Sequence, residues 1–365
     1  MKEFGLLYPG ASSRTRVRFD SGGLARVGAF ARRITGARRA LLVTDTRVGA
    51  LYGRATRSSL RRAGIEVASF AIPAGERSKN ADQLERLWRE LARLEFSRAD
   101  LVVALGGGVV GDLAGFAAAS WLRGVPWIAV PTTLLAQVDS GVGGKTAIDL
   151  PEGKNLVGAF HQPAGVLIDA ATLGTLPARQ LRAGLAEVVK MGFAVDARLF
   201  RWCEAHRSAL AGAEPAALAR AGELAVRAKA RIVLADEREA GARTALNFGH
   251  TLGHAIEAAL GYRRLLHGEA IALGMRVAAR LSVREVGLPD ADRARLEALL
   301  DALALPSRLP PLRISRLERA MRVDKKRRGR EVRWVLTPRL GFASVPRSIE
   351  GRRVKAALKE AGAGN

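Results

Sequence analysis

Between residues 39 and 170 the chain alternates short apolar runs with longer stretches in which apolar residues recur every three or four positions. RALLVTD (39–45), EVASFAI (66–72), LVVALG (101–106), PWIAVP (126–131) and AGVLIDA (164–170) have the length and composition of buried strands. The stretches 47–64, 80–96 and 109–122 have helical period and length. Such alternation predicts a parallel sheet covered by helices on both faces. After TLPARQ (175–180) the texture changes. Segments 178–193, 196–210, 214–234, 247–261, 267–286 and 290–303 are long, amphipathic and rich in Ala, Leu and Arg, which predicts a mainly α-helical second half. A boundary near residue 177 gives domains 1–177 and 178–365. The fold class read from this pattern is an α/β N-terminal parallel-sheet domain followed by a mainly α-helical C-terminal domain. The short run EVRWVLT (331–337) predicts a late strand packed on the helical half. Neither half contains an internal repeat or a low-complexity linker.

An apolar fraction of 48% over 365 residues is enough for two sizeable cores. The most apolar stretch, 101–122, carries Asp112 and five glycines, and reads as a strand plus a helix rather than a membrane span. The first residues offer no apolar run long enough for a signal-peptide core. The single Cys203 fits a reducing compartment. These features predict a cytoplasmic protein with no membrane partner. Net charge is +24, but the basic residues are scattered, and only DKKRRGR (324–330) is a cluster. Aromatic residues are 5%, too few for a base-stacking surface. The excess charge thus argues little for nucleic acid, and an anionic substrate or merely an Arg-rich proteome are the other readings.

Three motifs have the look of nucleotide chemistry. GGGVVGD (106–112) satisfies G-x-G-x-x-G between a strand and a helix, where bare backbone can approach phosphates. It sits on roughly the third strand, and position 131, where an acidic ribose partner would fall, is Pro. Tight strand–helix packing would also use these glycines, and Asp45 at the end of the first strand is an alternative ribose partner. DSGVGGKTAID (139–149) ends like a phosphate-binding loop, but its first required glycine is Asp139. That carboxylate would face the phosphates, which argues against an NTPase. Asp139, Lys145, Lys154 and Asn155 form a polar group that suits either a solvated loop or an anion. Thr132 and Thr133 follow a strand in VPTTLLAQVDS (130–140), placed to meet a ligand or to cap a helix.

Three of the five histidines fall within eighteen residues, His250 and His254 in NFGHTLGHAIE and His267 in LLHGEA. On a helix His250, His254 and Glu257 share a face. Such a trio can hold zinc and leave one coordination position open. Glu187 of AGLAEVVKMG and His267 are rival ligands from other segments, and buried histidines without metal are a further reading.

Taken jointly and in order, GGGVVGD, VPTTLLAQVDSGVGGKTAID, KNLVGAFHQP, TLP, AGLAEVVKMG, NFGHTLGHAIE and HGEAIALGM resemble the 3-dehydroquinate synthase family of sugar-phosphate cyclases, over about residues 40–340. The first 38 residues match nothing specific, and His161 in AFHQP occupies a position expected to vary. The resemblance implies a Rossmann-like N-terminal domain, a helical C-terminal domain and an active site in the cleft between them. It implies zinc, with cobalt as the alternative, on Glu187, His250 and His267, with His254 beside it near the substrate. Substrate contacts would come from Arg123, Asp139, Lys145, Asn155, Lys190, Lys229, Arg243 and Asn247, and from Lys325 or Lys326 of the DKK motif. NAD contacts would come from Asp45, Glu76, Lys79, Gly107, Gly108, Val109, Val110, Gly111, Asp112, Thr132, Thr133, Lys145, Lys154, Thr172 and Thr175. The reaction implied turns 3-deoxy-D-arabino-heptulosonate 7-phosphate into 3-dehydroquinate and phosphate, in the shikimate pathway. It proceeds by transient oxidation with NAD, phosphate elimination, reduction and aldol closure, usually in a homodimer. Another cyclase of the superfamily, or a metal-dependent polyol or glycerol-phosphate dehydrogenase, is the rival expectation.

Overall fold

All five apolar runs expected as strands lie in one sheet of the computed structural model, which describes residues 2–8, 14–325, 332–343 and 346–364. The chain divides into two units, Met1–Leu176 and Pro177–Asn365. In the first unit β1 (Lys2–Leu7) and β2 (Arg14–Phe19) precede α1 (Val27–Thr35). Then come β3 (Arg39–Asp45), α2 (Thr46–Val48), a π turn over Gly49–Gly53, α3 (Arg54–Arg62), β4 (Glu66–Ile72), α4 (Ala81–Arg93), β5 (Leu101–Gly106), α5 (Gly108–Ser120) and β6 (Trp127–Pro131). A hairpin of β7 (Lys145–Leu150) and β8 (Gly153–Phe160) leads to β9 (Gly165–Ile168).

The sheet order is β1-β2-β9-β6-β5-β3-β4, antiparallel only between β1 and β2. Every residue of β5, β6 and β9 is buried, which is why these runs show no polar alternation. Phe30 of α1 and Leu60 of α3 join Leu42, Val103, Ile128 and Leu167 in one core. The N-terminal β1, β2 and α1 were not foreseen, although Thr15 and Val17 alternate inward along β2. The expected helix 109–122 stops at Ser120. Trp121–Arg123 forms a 3-10 turn in which Leu122 and Arg123 adopt φ +49 and +66. The polar group around Lys145 to Asn155 is no loop. It is the β7–β8 hairpin, a separate two-stranded sheet.

The second unit comprises α6 (Ala178–Ala194), α7 (Ala197–Ala205), α8 (Arg207–Ala211), α9 (Pro215–Ala235), α10 (His250–Ala259), α11 (His267–Val286), α12 (Asp290–Ala302), α13 (Ile314–Lys325), β10 (Arg333–Trp334), β11 (Arg347–Ser348) and α14 (Gly351–Glu360). The expected helix 196–210 is broken at His206. The expected helix 247–261 begins only at His250, because Gly249 takes φ +82 and ends a 3-10 segment over Ala242–Asn247. Of the expected strand 331–337, only Arg333–Trp334 is a strand, and Glu331 lies outside the described residues. Among the described residues no helix is long and apolar enough to cross a membrane.

Helix α11 is the axis of this unit, buried on nearly every face. Glycines let its neighbours approach backbone to backbone. A Cβ on Gly268 would lie 1.8 Å from the Ala183 carbonyl oxygen of α6, and one on Gly274 would lie 2.0 Å from the Gly249 oxygen before α10. One on Gly253 would lie 2.5 Å from Ile271 Cδ1. These contacts fix the distance from α11 to the carboxylate of α6 and the imidazoles of α10. Gly268→Ala should therefore destabilise the fold by about 1–3 kcal/mol, read as a lower urea midpoint. Gly351→Ala, which meets nothing within 4 Å, should stay within about 0.5 kcal/mol.

Candidate active site

In the first unit the ends of β3, β5 and β6 carry most of the residues expected to bind NAD. The Asp45 carboxylate accepts hydrogen bonds from the Arg47 and Val48 amides, both at 2.9 Å, and so caps α2. Gly107 is the N-cap of α5, and Gly108, Val109, Val110, Gly111 and Asp112 begin the helix. A Cβ on Gly107 would lie 3.2 Å from Thr133 Cγ2, and one on Gly108 3.0 Å from Ser140 Oγ. The glycines thus bring an N-terminus with free amides and a positive dipole end against the segment after β6. Thr132 donates its amide to Gly106 O at 3.0 Å, and Thr133 Oγ1 accepts from the Ala136 amide at 3.1 Å. Thr172 donates its hydroxyl to Asp169 O at 2.7 Å, and Thr175 Oγ1 meets the Tyr52 hydroxyl at 2.5 Å. Asp139 sits in the π turn Ala136–Ser140.

A second cluster gathers around Lys79, which is buried just after a 3-10 turn over Glu76–Ser78. Its ammonium donates to Asp112 Oδ2 and to Asn155 Oδ1. Lys154 Nζ lies 3.4 Å from Glu76 Oε1. Burial pushes the Asp112 carboxyl up from 3.8 to about 6, and the nearby carboxylates of Glu76 and Asp149 add to it against the pull of Lys79. Burial by itself would depress Lys79, but the Asp112 carboxylate outweighs it and holds the ammonium above its ordinary range. The hairpin thus joins Lys154 and Asn155 to Glu76, Lys79 and Asp112, a grouping with no signature in sequence spacing.

In the second unit Glu187 and Lys190 lie one turn apart on α6, each only 1% exposed. Neither carboxylate oxygen of Glu187 accepts a hydrogen bond, although the Lys190 ammonium is in ion-pair contact with one of them. The other faces His250 Nε2 at 3.9 Å and His267 Nε2 at 3.7 Å, too long for hydrogen bonds. His250 Nδ1 lies 3.3 Å from the Phe248 carbonyl oxygen, and His267 Nδ1 lies 3.2 Å from Glu257 Oε2. Oxygen acceptors at both Nδ1 atoms favour the tautomer with its proton there, which turns the Nε2 lone pairs toward the Glu187 carboxylate. Three donor atoms gathered in this way, in that tautomer, suit a divalent cation. Their spacing is slightly wider than the roughly 3.3 Å between ligands of a tetrahedral zinc, so a small divalent metal fits.

Among the described residues two donor sets have all ligand atoms within 4.8 Å of one another: Glu187, His250 and His267, and His254, Glu257 and His267. The same-helix combination of His250, His254 and Glu257 is neither of these. Helix periodicity places three groups on one face, but His267 of α11 comes into both sets by packing. Glu269 holds that residue at the start of α11. Its carboxylate accepts from the Leu266 amide at 2.8 Å and from Arg179 at 2.6 and 2.7 Å. The sequence signal for Glu269 was its place three residues after the helix N-cap, whereas Arg179 gave none. Lys229 is buried on α9. Arg243 donates to the Glu237 carbonyl, and the Asn247 amide donates to Glu239. Lys325 closes α13, and Lys326 lies outside the described residues.

The chain is similar to known proteins along most of its length. A family model described as 3-dehydroquinate synthase N-terminal matches residues 69–183, and one described as 3-dehydroquinate synthase C-terminal matches 184–327. The chain is 48% identical over 343 residues to a 3-dehydroquinate synthase of Symbiobacterium thermophilum, covering 93% of this chain and 95% of the relative. A solved 2-deoxy-scyllo-inosose synthase, complexed with carbaglucose-6-phosphate, NAD+ and Co2+, superposes with TM-score 0.90 at 26% identity, over 99% of this chain and 100% of that one. The 2-epi-5-epi-valiolone synthase of Streptomyces hygroscopicus subsp. jinggangensis 5008, with NAD+ and Zn2+ bound, gives 0.87 at 28% identity, over 97% and 98%.

The position of Asp112 has a thermodynamic consequence. Its carboxyl holds a proton more tightly in the folded chain, at about 6, than at the ordinary 3.8. The folded state therefore binds more protons between these values, and this group's contribution is lost as pH rises through the window. Asp112→Asn is neutral throughout and should remove that loss. The stability of the variant minus that of the wild type, from urea midpoints, should rise between pH 4 and pH 6 and stay level above it.

Proposed function

This chain belongs to the 3-dehydroquinate synthase family, and we propose that it carries out the family's complete reaction with NAD and a divalent metal, zinc in the first place. The substrate is 3-deoxy-D-arabino-heptulosonate 7-phosphate, and the products are 3-dehydroquinate and phosphate. The observation that carries the reading is the buried Glu187 carboxylate, without a hydrogen bond and facing two Nε2 atoms, in a chain 48% identical to a curated synthase. The cyclases with NAD+ and Co2+ or Zn2+ in their structures support the choice of both cofactors. Their identity of 26 and 28% favours the synthase over a cyclase making a different ring. A plain dehydrogenase is less favoured still, because solved glycerol dehydrogenases share only the fold, at 15 and 17% identity.

When bound, NAD takes up and returns one hydride, and the metal polarises the hydroxyl at which oxidation occurs. The chain's own residues do the rest. Glu187, His250 and His267 would hold the metal, with Phe248 O and Glu257 orienting the two rings through Nδ1. His254, whose ring centroid is 5.1 Å from that of His250 and 5.9 Å from that of His267, would stand beside the metal and meet the substrate. The substrate carries a carboxylate and a phosphate. Fixing it takes several cations with few degrees of freedom, which Arg123, Lys145, Lys190, Lys229 and Arg243 would supply. Lys190 and Lys229 are buried, so their ammonium groups lose little entropy on binding. Asp139 and Asn247 would order the hydroxyls. The NAD contacts would come from the first unit, from the amides that begin α5 and from the cluster of Glu76, Lys79, Asp112 and Lys154. The same reading makes the enzyme a cytoplasmic homodimer acting on an anionic small molecule.

Turnover should require NAD and yet accumulate no NADH, because the same cofactor takes and returns the hydride. Phosphate release and absorbance at the NADH band, followed together, test this; NADH rising in step with phosphate would instead mark a dehydrogenase. Metal analysis after dialysis tests the donor set. Glu187→Ala, His250→Ala and His267→Ala should each lose zinc, and His254→Ala should keep about one zinc per chain. Glu257→Ala should bind it about 10–100-fold more weakly. Full zinc in Glu187→Ala with none in His254→Ala would move the metal to the set of His254, Glu257 and His267.

A further inference from the structure

The β7–β8 hairpin contains a distortion that the residues assigned so far do not explain. Ile148 pairs with Val157, and the next pair is Leu150 with Gly153, so Asp149 alone faces Lys154, Asn155 and Leu156. Such bulges re-aim side chains. Here Asn155 is thrown into the left-handed region at φ +56, strained for most side chains but tolerated by Asn. Its amide donates to a side chain, Asp149 Oδ1, at 2.8 Å. On the other side the Asp149 amide donates to the Lys79 carbonyl oxygen at 2.8 Å. The turned Asn155 then presents Oδ1 to the Lys79 ammonium, which also holds Asp112. Asp149 is thus bonded both to the bulge and to the lysine that the bulge contacts. Its place is electrostatically unfavourable: burial, together with Glu76, raises its carboxyl above the ordinary range.

We infer that Asp149 is a positioning residue, whose carboxylate sets the bulge that turns Asn155 onto Lys79 and so fixes the cofactor-side residues against the substrate-side ones. This rests on the functional reading of Lys79, Lys154 and Asn155 given above. What matters is the acceptor oxygen and its reach, not the negative charge. Asn at position 149 can offer the same oxygen to the Asn155 amide, and Ala cannot.

The experiment compares wild type, Asp149→Ala and Asp149→Asn as full-length proteins. Hydrogen exchange of the segment around Asn155, NAD affinity by calorimetry, and kcat and KM for the heptulosonate phosphate are measured on each. In Asp149→Ala the exchange should quicken, NAD should bind more weakly, and kcat/KM should fall by up to about 100-fold, as for a misplacement of about 1 Å. Zinc content should not change. Asp149→Asn should recover most of each loss, which a generally weakened fold would not do. Normal exchange and affinity in the Ala variant would overturn the inference, and so would an Asn variant as impaired as the Ala one. If the wild type binds NAD but does not turn over the heptulosonate phosphate, the functional reading falls, and exchange and NAD affinity still decide the role of Asp149.

Discussion

The second unit depends on one steric constraint, the approach of α6 and α10 to α11 at distances that admit no side chain. At Gly268 and Gly274 a single added carbon would sit about 2 Å from a carbonyl oxygen of the neighbouring backbone. Elements packed this closely cannot slide, because interiors are nearly incompressible. The carboxylate of α6 is therefore held near imidazoles from α10 and α11 whether or not anything lies among them. A metal site held in this way presents its ligands at little cost in ordering, which suits a catalytic centre better than a flexible loop would.

The two units use buried charge in different ways. In the first, Lys79 is balanced by Asp112, with Glu76, Asp149 and Lys154 around it, and burial, with a smaller push from Glu76 and Asp149, raises Asp112 to about 6. In the second, Glu187 has one ammonium beside it and no hydrogen bond. Burying a carboxylate with a single ion-pair partner is costly, and a divalent cation at its other oxygen would offset part of that cost. By contrast, the +24 of the whole chain has no comparable structural focus. Much of the arginine is spent in exposed pairs such as Arg89 with Glu85, Arg284 with Glu360 and Arg33 with Glu3, each worth about 0–1 kcal/mol.

The pattern along the chain was sufficient for the architecture. Parallel strands buried on both faces must be continuously apolar, and amphipathic helices must repeat with helical period; both constraints act residue by residue, so both can be read without coordinates. Elements outside those two patterns were missed. The β1–β2 pair is short and Arg-rich, and the β7–β8 hairpin has its alternation broken by glycines and by the bulge at Asp149. The start of α10 was misplaced because Gly249 can continue or end a helix; here it takes φ +82, where a Cβ would lie 2.7 Å from Met275 Cγ of α11.

For the site, sequence alone determined the kinds of group available: a glycine-rich helix start, scattered lysines, and three histidines with a nearby carboxylate. Periodicity could relate only residues on one helix, so by itself it grouped His250, His254 and Glu257. The family motifs supplied Glu187 and His267, which lie 80 residues apart in the chain and come together only through the packing of α6, α10 and α11. Which donor atoms face each other, which nitrogen of each imidazole is engaged, and why Asn155 turns toward Lys79 were decided by tertiary structure alone. Those relations rest on backbone contacts between distant segments and on a register shift within a hairpin, and neither leaves a period in the sequence.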